Sequence, residues 1–310
     1  MKFLKVWFML CFGVFISSIP VFAAESQFAY NYTTDLLPKG QKEIEQWFTW
    51  RHAKDQGKFD VWEGRTAFEY GVTDNFQAAF YLNYLKNKSY HNGIDGTTAP
   101  AENFAERQPG PDDKFNEQKF KSVSLEGIYR LLSPYKDPIG LALYFEPSVG
   151  QGIVELEGKI ILQKNFFEDR LVIAGNITID GELRHLPGDP DADVDTRDFE
   201  KHWDRESDAN ITMGVSYRFM PNWSAGFEFL NEREFSALTL RTANRTNNAY
   251  YIGPTLHYGA KDFFVTATFL NQLPWAHDYT GDDPSVIVGG RNYADDFERY
   301  RLRVKTGFYF

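Results

Sequence analysis

The chain of 310 residues carries 33 Lys and Arg against 43 Asp and Glu, and its formal charge of −10 argues against a nucleic-acid partner. Its single cysteine, Cys11, falls in a segment expected to be cleaved off, which leaves no disulfide, lipid anchor or cysteine metal site. Aromatic residues make up 17% of a chain that is polar on average (mean hydropathy −0.45), and beyond the first 23 residues no stretch is apolar enough for a spanning helix, so a membrane form could only be a closed barrel.

In chain order, Lys2 and Lys5, the apolar run 6–16 and the small-residue site Val21-Phe22-Ala23 read as a cleaved export signal over 1–23. The run is shorter than the roughly 20 residues a spanning helix needs. Its removal takes the formal charge from −10 to −12. Residues 24–40 predict a short periplasmic segment, with Pro38-Lys39-Gly40 turning into the first strand, and 41–310 predict one outer-membrane barrel.

From there the pattern has period two over unusually long segments, as a tilted membrane crossing requires. Ile44, Phe48 and Trp50 alternate with Glu43, Glu45, Thr49 and Arg51; Phe76, Ala78, Phe80, Leu82 and Tyr84 alternate with Gln77 and Asn83. The same alternation returns around 123–131, 141–145, 171–180 and 211–219, with further candidates near 59–70, 154–164, 223–233, 249–258, 263–273 and 298–310. These make about twelve strands, hence an all-β, closed antiparallel transmembrane barrel. Short connections at 71–74, 133–138, 167–169, 220–222 and 259–262 alternate with outer ones, of which 86–119, 185–206, 235–247 and 276–296 are long and polar. That parity is the one a barrel with short periplasmic turns imposes. The last strand ends in Phe308 and Phe310, an aromatic terminus suited to recognition by the insertion machinery, with outer-membrane lipid and lipopolysaccharide as surroundings.

The run Ala29-Tyr30-Asn31-Tyr32-Thr33-Thr34-Asp35-Leu36-Leu37-Pro38-Lys39-Gly40, followed by Glu43-Ile44-Glu45-Gln46-Trp47, resembles a family of bacterial outer-membrane barrels of unknown function, itself loosely similar to outer-membrane transporters of aromatic-compound degradation. The resemblance implies fold and location over the whole mature chain. It brings no functional residue with it.

Function rests on the inward face. The strand phase turns Glu43, Glu45, Arg51, Glu63, Arg65, Glu155, Glu157, Lys159, Arg218, Glu228, Arg299, Arg301, Arg303 and Lys305 toward the lumen, together with Glu69, Asp180 and Glu182. Such charges either line a water-filled path for a small solute or pair across the strands and fill a narrow barrel. Both remain open at this point: a passive channel or transporter, or a closed structural or surface-interaction barrel. An enzyme is not expected, because none of the six histidines sits two residues before a serine; His257, turned to the lumen by the strand phase, reads as a hydrogen-bonded interior residue. No cofactor is expected either. Asp189, Asp191, Asp193 and Asp195 with Glu200 at the twelfth position approach a calcium loop, but Val194 stands where that loop needs glycine, so a solvated acidic loop is the better reading.

Overall fold

The computed structural model describes residues 26–54, 57–90, 114–186, 200–276 and 285–310. The export signal with Cys11, the aspartates 189–195 and most of the long outer connections lie outside these residues. Twelve strands form the wall: β1 (Lys42–His52), β2 (Lys58–Thr73), β3 (Phe76–Tyr90), β4 (Phe115–Leu132), β5 (Gly140–Gly150), β6 (Ile153–Phe166), β7 (Leu171–Leu186), β8 (His202–Met220), β9 (Trp223–Phe235), β10 (Arg245–Gly259), β11 (Phe263–Gln272) and β14 (Tyr300–Tyr309). Each pairs antiparallel with its neighbours, and β14 closes the sheet by pairing with both β11 and β1. The all-β barrel of twelve strands expected from the alternation is therefore the fold.

Its burial pattern is inside out. Leu125, Phe145 and Phe227 on the outer surface are 60%, 55% and 57% exposed, whereas Glu43 and Glu228 on the inner surface are 2% and 1% exposed. Lipid is the partner that makes such an outer belt favourable. Across the closing seam the outward row is Ile44 opposite Phe308, Phe48 opposite Val304 and Trp50 opposite Leu302, so the apolar phase is continuous around the circumference. No helix among the described residues is long and apolar enough to cross a membrane.

The short turns, Gly40 and Phe310 all lie at one end. At the other, β3 and β4 run on to Tyr90 and back from Phe115, and β7 and β8 to Leu186 and back from His202, so the wall is taller than the sequence reading drew it. The region read as a polar outer connection at 276–296 contains a separate hairpin, β12 (Ser285–Val288) and β13 (Arg291–Ala294). Its C-terminal side is drawn against the inner wall: the Ala294 N–H donates to Gln272 Oε1 (2.9 Å), and Ala294 and Phe297 pack with Tyr251, Leu270 and Leu230.

Candidate functional site: a lumen occupied from the N-terminal side

Residues 26–37, read from the sequence as part of a short periplasmic segment, lie inside the barrel. The chain leaves β1 at the short-turn end, where the Gly40 N–H donates to Gly71 O (2.7 Å) and the Lys39 N–H to Asp74 Oδ1 (3.2 Å). Gly71 permits this close approach, since a Cβ there would lie 2.1 Å from Pro38 O. The segment then follows the inner surface, its backbone amides met by wall side chains: Leu37 N–H by Gln77 Oε1 (2.8 Å), Thr34 N–H by Gln163 Oε1 (2.7 Å) and Tyr32 N–H by Asn176 Oδ1 (2.7 Å). Glu228 takes three in succession, from Ala29 at Oε1 and from Tyr30 and Asn31 at Oε2, each at 2.9 Å. Buried amides need such acceptors, and a fold-back inside a closed sheet has no ladder to supply them.

Apolar contacts fill the gaps between these anchors. Leu36 packs with Ile128, Ala142 and Ile161, and Phe28 with Val172 and Ala174. Phe28 also lies on Gly214, where a Cβ would come within 2.6 Å of its ring. Gly214→Val is therefore expected to expel the ring and raise cleavage of the 26–37 segment by added protease severalfold, with the folded band on semi-native gels unchanged; equal protection in both proteins would place Phe28 elsewhere. Asp35, outside the spanning strands, accepts from Gln163 Nε2 (3.0 Å) and Tyr135 OH (2.9 Å), while burial pushes its carboxyl up to about 6. The segment is thus held best when Asp35 is protonated, and that contribution is lost as pH rises from the ordinary carboxyl range through about 6.

The charges assigned to the lumen face inward and most of them pair. Lys305 Nζ lies 2.9 Å from Glu45 Oε1, Arg51 contacts Glu63 (3.2 Å) and Glu298 (2.7 Å), and Arg301 bonds Glu298 and both oxygens of Glu232. Arg65 pairs with Glu146, Lys159 with Glu157, Lys121 with Glu155 (3.6 Å) and Arg184 with Glu182 (2.7 Å). Arg303 instead donates to Thr49 Oγ1 (2.9 Å) and Ala29 O (3.4 Å). Two residues sit at the rims: Arg218 reaches Glu168 O in a short turn, and Arg299 reaches Lys54 O at the opposite end. Glu200 is exposed, and the described residues hold no group of three or more His, Cys, Asp or Glu fit for a metal. His257 is buried with Nδ1 2.8 Å from Thr266 Oγ1, as a wall residue.

Charge does not mark the neutral anchors Gln163 and Asn176, and the inward carboxylates Glu126, Glu146 and Glu298 are additions to the lumen charges expected from the sequence. The period-two phase was signal enough to turn Gln77 and Asn176 inward; nothing local marked them as acceptors for another segment.

On the long-loop side of the N-terminal segment a cavity of about 160 Å³ remains between β1–β6 and β14. Its wall carries Glu63, Glu146 and Glu155 against Arg65, Lys121 and Arg303, with Trp47 beneath them. Arg303 lies 4.1 Å from the Tyr30 ring and 5.2 Å from the Trp47 ring, so it links the cavity wall to the segment.

Comparison with known proteins agrees with this architecture. The outer-membrane channel of the COG4313 group from Pseudomonas putida overlays with a TM-score of 0.54 at 9% identity, covering 91% of this chain and 98% of that one, which establishes a shared fold. The NanC porin (TM-score 0.48, 9% identity, 86% and 98% covered) and the Pseudomonas putida toluene transporter TodX (0.39, 9%, 88% and 90%) overlay too loosely to carry an argument. No curated protein sequence matches the chain. A family model does match residues 20–310, almost the whole chain and all of the wall and its N-terminal segment, and the protein belongs to that family, the family of unknown function DUF6662.

Proposed function

We propose that this protein is an outer-membrane channel for a small polar solute, exported by its N-terminal signal, with the short turns in the periplasm and the N-terminal segment as its gate. One observation carries the reading: the obstruction is separable from the wall. The twelve strands complete their hydrogen-bond ladder with one another, while among the described residues the segment is held by side chains such as Glu228, Asn176 and Gln163 and by small apolar clusters. Its release would leave a closed wall and a charged, wettable lumen. The outer belt and the exposed Phe308 and Phe310 suit a lipid and lipopolysaccharide environment and delivery by the barrel-insertion machinery.

A closed structural barrel is the second reading, favoured by ion pairs that bridge strands three apart: Arg65 on β2 with Glu146 on β5, and Arg301 on β14 with Glu232 on β9. Planar-bilayer recording on refolded protein separates the two. Deletion of residues 26–37 is expected to convert a mostly silent barrel into one with discrete open steps. A truncated barrel that keeps its folded band on semi-native gels and stays silent supports the closed reading instead.

A further inference from the structure

Inward residues of three adjacent strands stand in one cross-strand row above the N-terminal segment: Arg303 opposite Thr49, and Thr49 opposite Glu63. With neighbouring strands about 4.8 Å apart, the outer two members of the row begin roughly 10 Å from each other and reach inward over Thr49. One step toward the short turns lies the row Lys305, Trp47 and Arg65, which sets the Trp47 ring directly below. All of these except Lys305 line the cavity of about 160 Å³.

The two ends of the upper row have spare capacity of opposite sign. Arg303 is the one cation of the cavity wall with no carboxylate partner among the described residues; of the five N–H donors of a guanidinium, one is given to Thr49 Oγ1 and one to Ala29 O. Glu63 is its counterpart: Arg51 contacts Oε1, at 3.2 Å, and the side chain, 37% exposed, lines the cavity. The other charges are committed, Arg65 to Glu146 and Lys121 to Glu155. Three carboxylates against three cations make the site neutral as a whole and polar across its width. A cavity of about 150 Å³ can hold a benzene ring, so this one suits a solute of about six non-hydrogen atoms.

We infer that this cavity binds a small zwitterion of the α-amino-acid type, its carboxylate on the uncommitted N–H groups of Arg303, its ammonium on the Glu63 carboxylate and its carbon skeleton toward Trp47. The inference names the solute class for the channel proposed above and rests on that reading for its role in transport. A lone anion would leave Glu63 facing it, and a lone cation would meet Arg303; only a ligand carrying both charges satisfies both ends.

Calorimetry on the full refolded barrel in detergent tests this without requiring conduction. The probes are L-alanine, propionate, which lacks the ammonium, and ethylammonium, which lacks the carboxylate. L-Alanine is expected to bind at least about tenfold more tightly than either, and Arg303→Gln or Glu63→Gln to weaken it by at least about tenfold, the worth of one charged hydrogen bond. Glu63→Gln sits at an exposed side chain and serves if Arg303→Gln loses its folded band. Propionate binding as tightly as L-alanine, L-alanine binding unaltered by Glu63→Gln, or no L-alanine binding overturns the inference. A barrel silent after deletion of 26–37 that still binds L-alanine defeats only the channel; an open barrel indifferent to L-alanine defeats only the site.

Discussion

Glu228→Ala should open the barrel without any truncation. The carboxylate accepts from the backbones of Ala29, Tyr30 and Asn31 and from Thr268 Oγ1 (2.5 Å), and it is almost fully buried. A hydrogen bond to a charged group contributes about 1.5–3 kcal/mol, but part of that sum offsets the cost of keeping the carboxylate out of water. A net loss of about 3 kcal/mol in docking of the segment, a factor of about 150 in its docked-to-released ratio, is the expected size. Open probability in planar bilayers should rise accordingly. Glu228→Gln, whose amide keeps one acceptor oxygen and turns its NH₂ toward the same N–H groups, should fall between. A folded Glu228→Ala barrel as silent as the parent would mean that the segment is held elsewhere.

The second large effect is expected at the seam between the first and last strands. Glu45 and Lys305 meet at 2.9 Å with side chains only 3% and 8% exposed. Reversing one charge of such a buried pair sets like charges against each other, and breaking a buried pair costs about 3–5 kcal/mol. Glu45→Lys should therefore lower markedly the temperature at which the folded band disappears on semi-native gels, and Lys305→Glu in the same chain should recover most of the loss. Arg303→Glu should not rescue it, because Arg303 faces Thr49 rather than Glu45. Additive damage in the Glu45→Lys, Lys305→Glu double variant would show that the two do not hold the seam.

Opposite charges at that seam were legible in the sequence, since strand phase and antiparallel closure follow from the alternation alone; the exact partner was not. Glu45 takes Lys305 on the diagonal, while Arg303 takes a hydroxyl, because the register sets Glu45 opposite Gly307 and Arg303 opposite Thr49. Partners across the lumen, such as Arg65 with Glu146, were beyond reach, for they depend on barrel width rather than on neighbouring strands. The upper parts of β3, β4, β7 and β8 escaped for another reason. On the upper part of β3 the buried inner residues Asn87 and Ser89 are polar, so the apolar alternation fades although the ladder continues. The N-terminal segment has no period at all. Its hint was compositional: Ala29, Tyr30, Tyr32, Leu36 and Leu37 are too apolar for a solvated linker, and in the structure four of the five are buried.

The distances along the chain between that segment and its anchors carry a consequence for assembly. Ala29 and Glu228 are 199 residues apart, Tyr32 and Asn176 are 144 apart, and Thr34 and Gln163 are 129 apart. The wall, by contrast, is built almost wholly from consecutive hairpins. Contacts of short separation form before those that must close long loops. The segment is thus the first part of the barrel to be made and the last to find its place, waiting until β6, β7 and β9 exist to receive it. Folding passes through a stage in which the inner face is bare and wet, so the unblocked lumen is a step on the route to the native state, and gating would retrace the final move of that route.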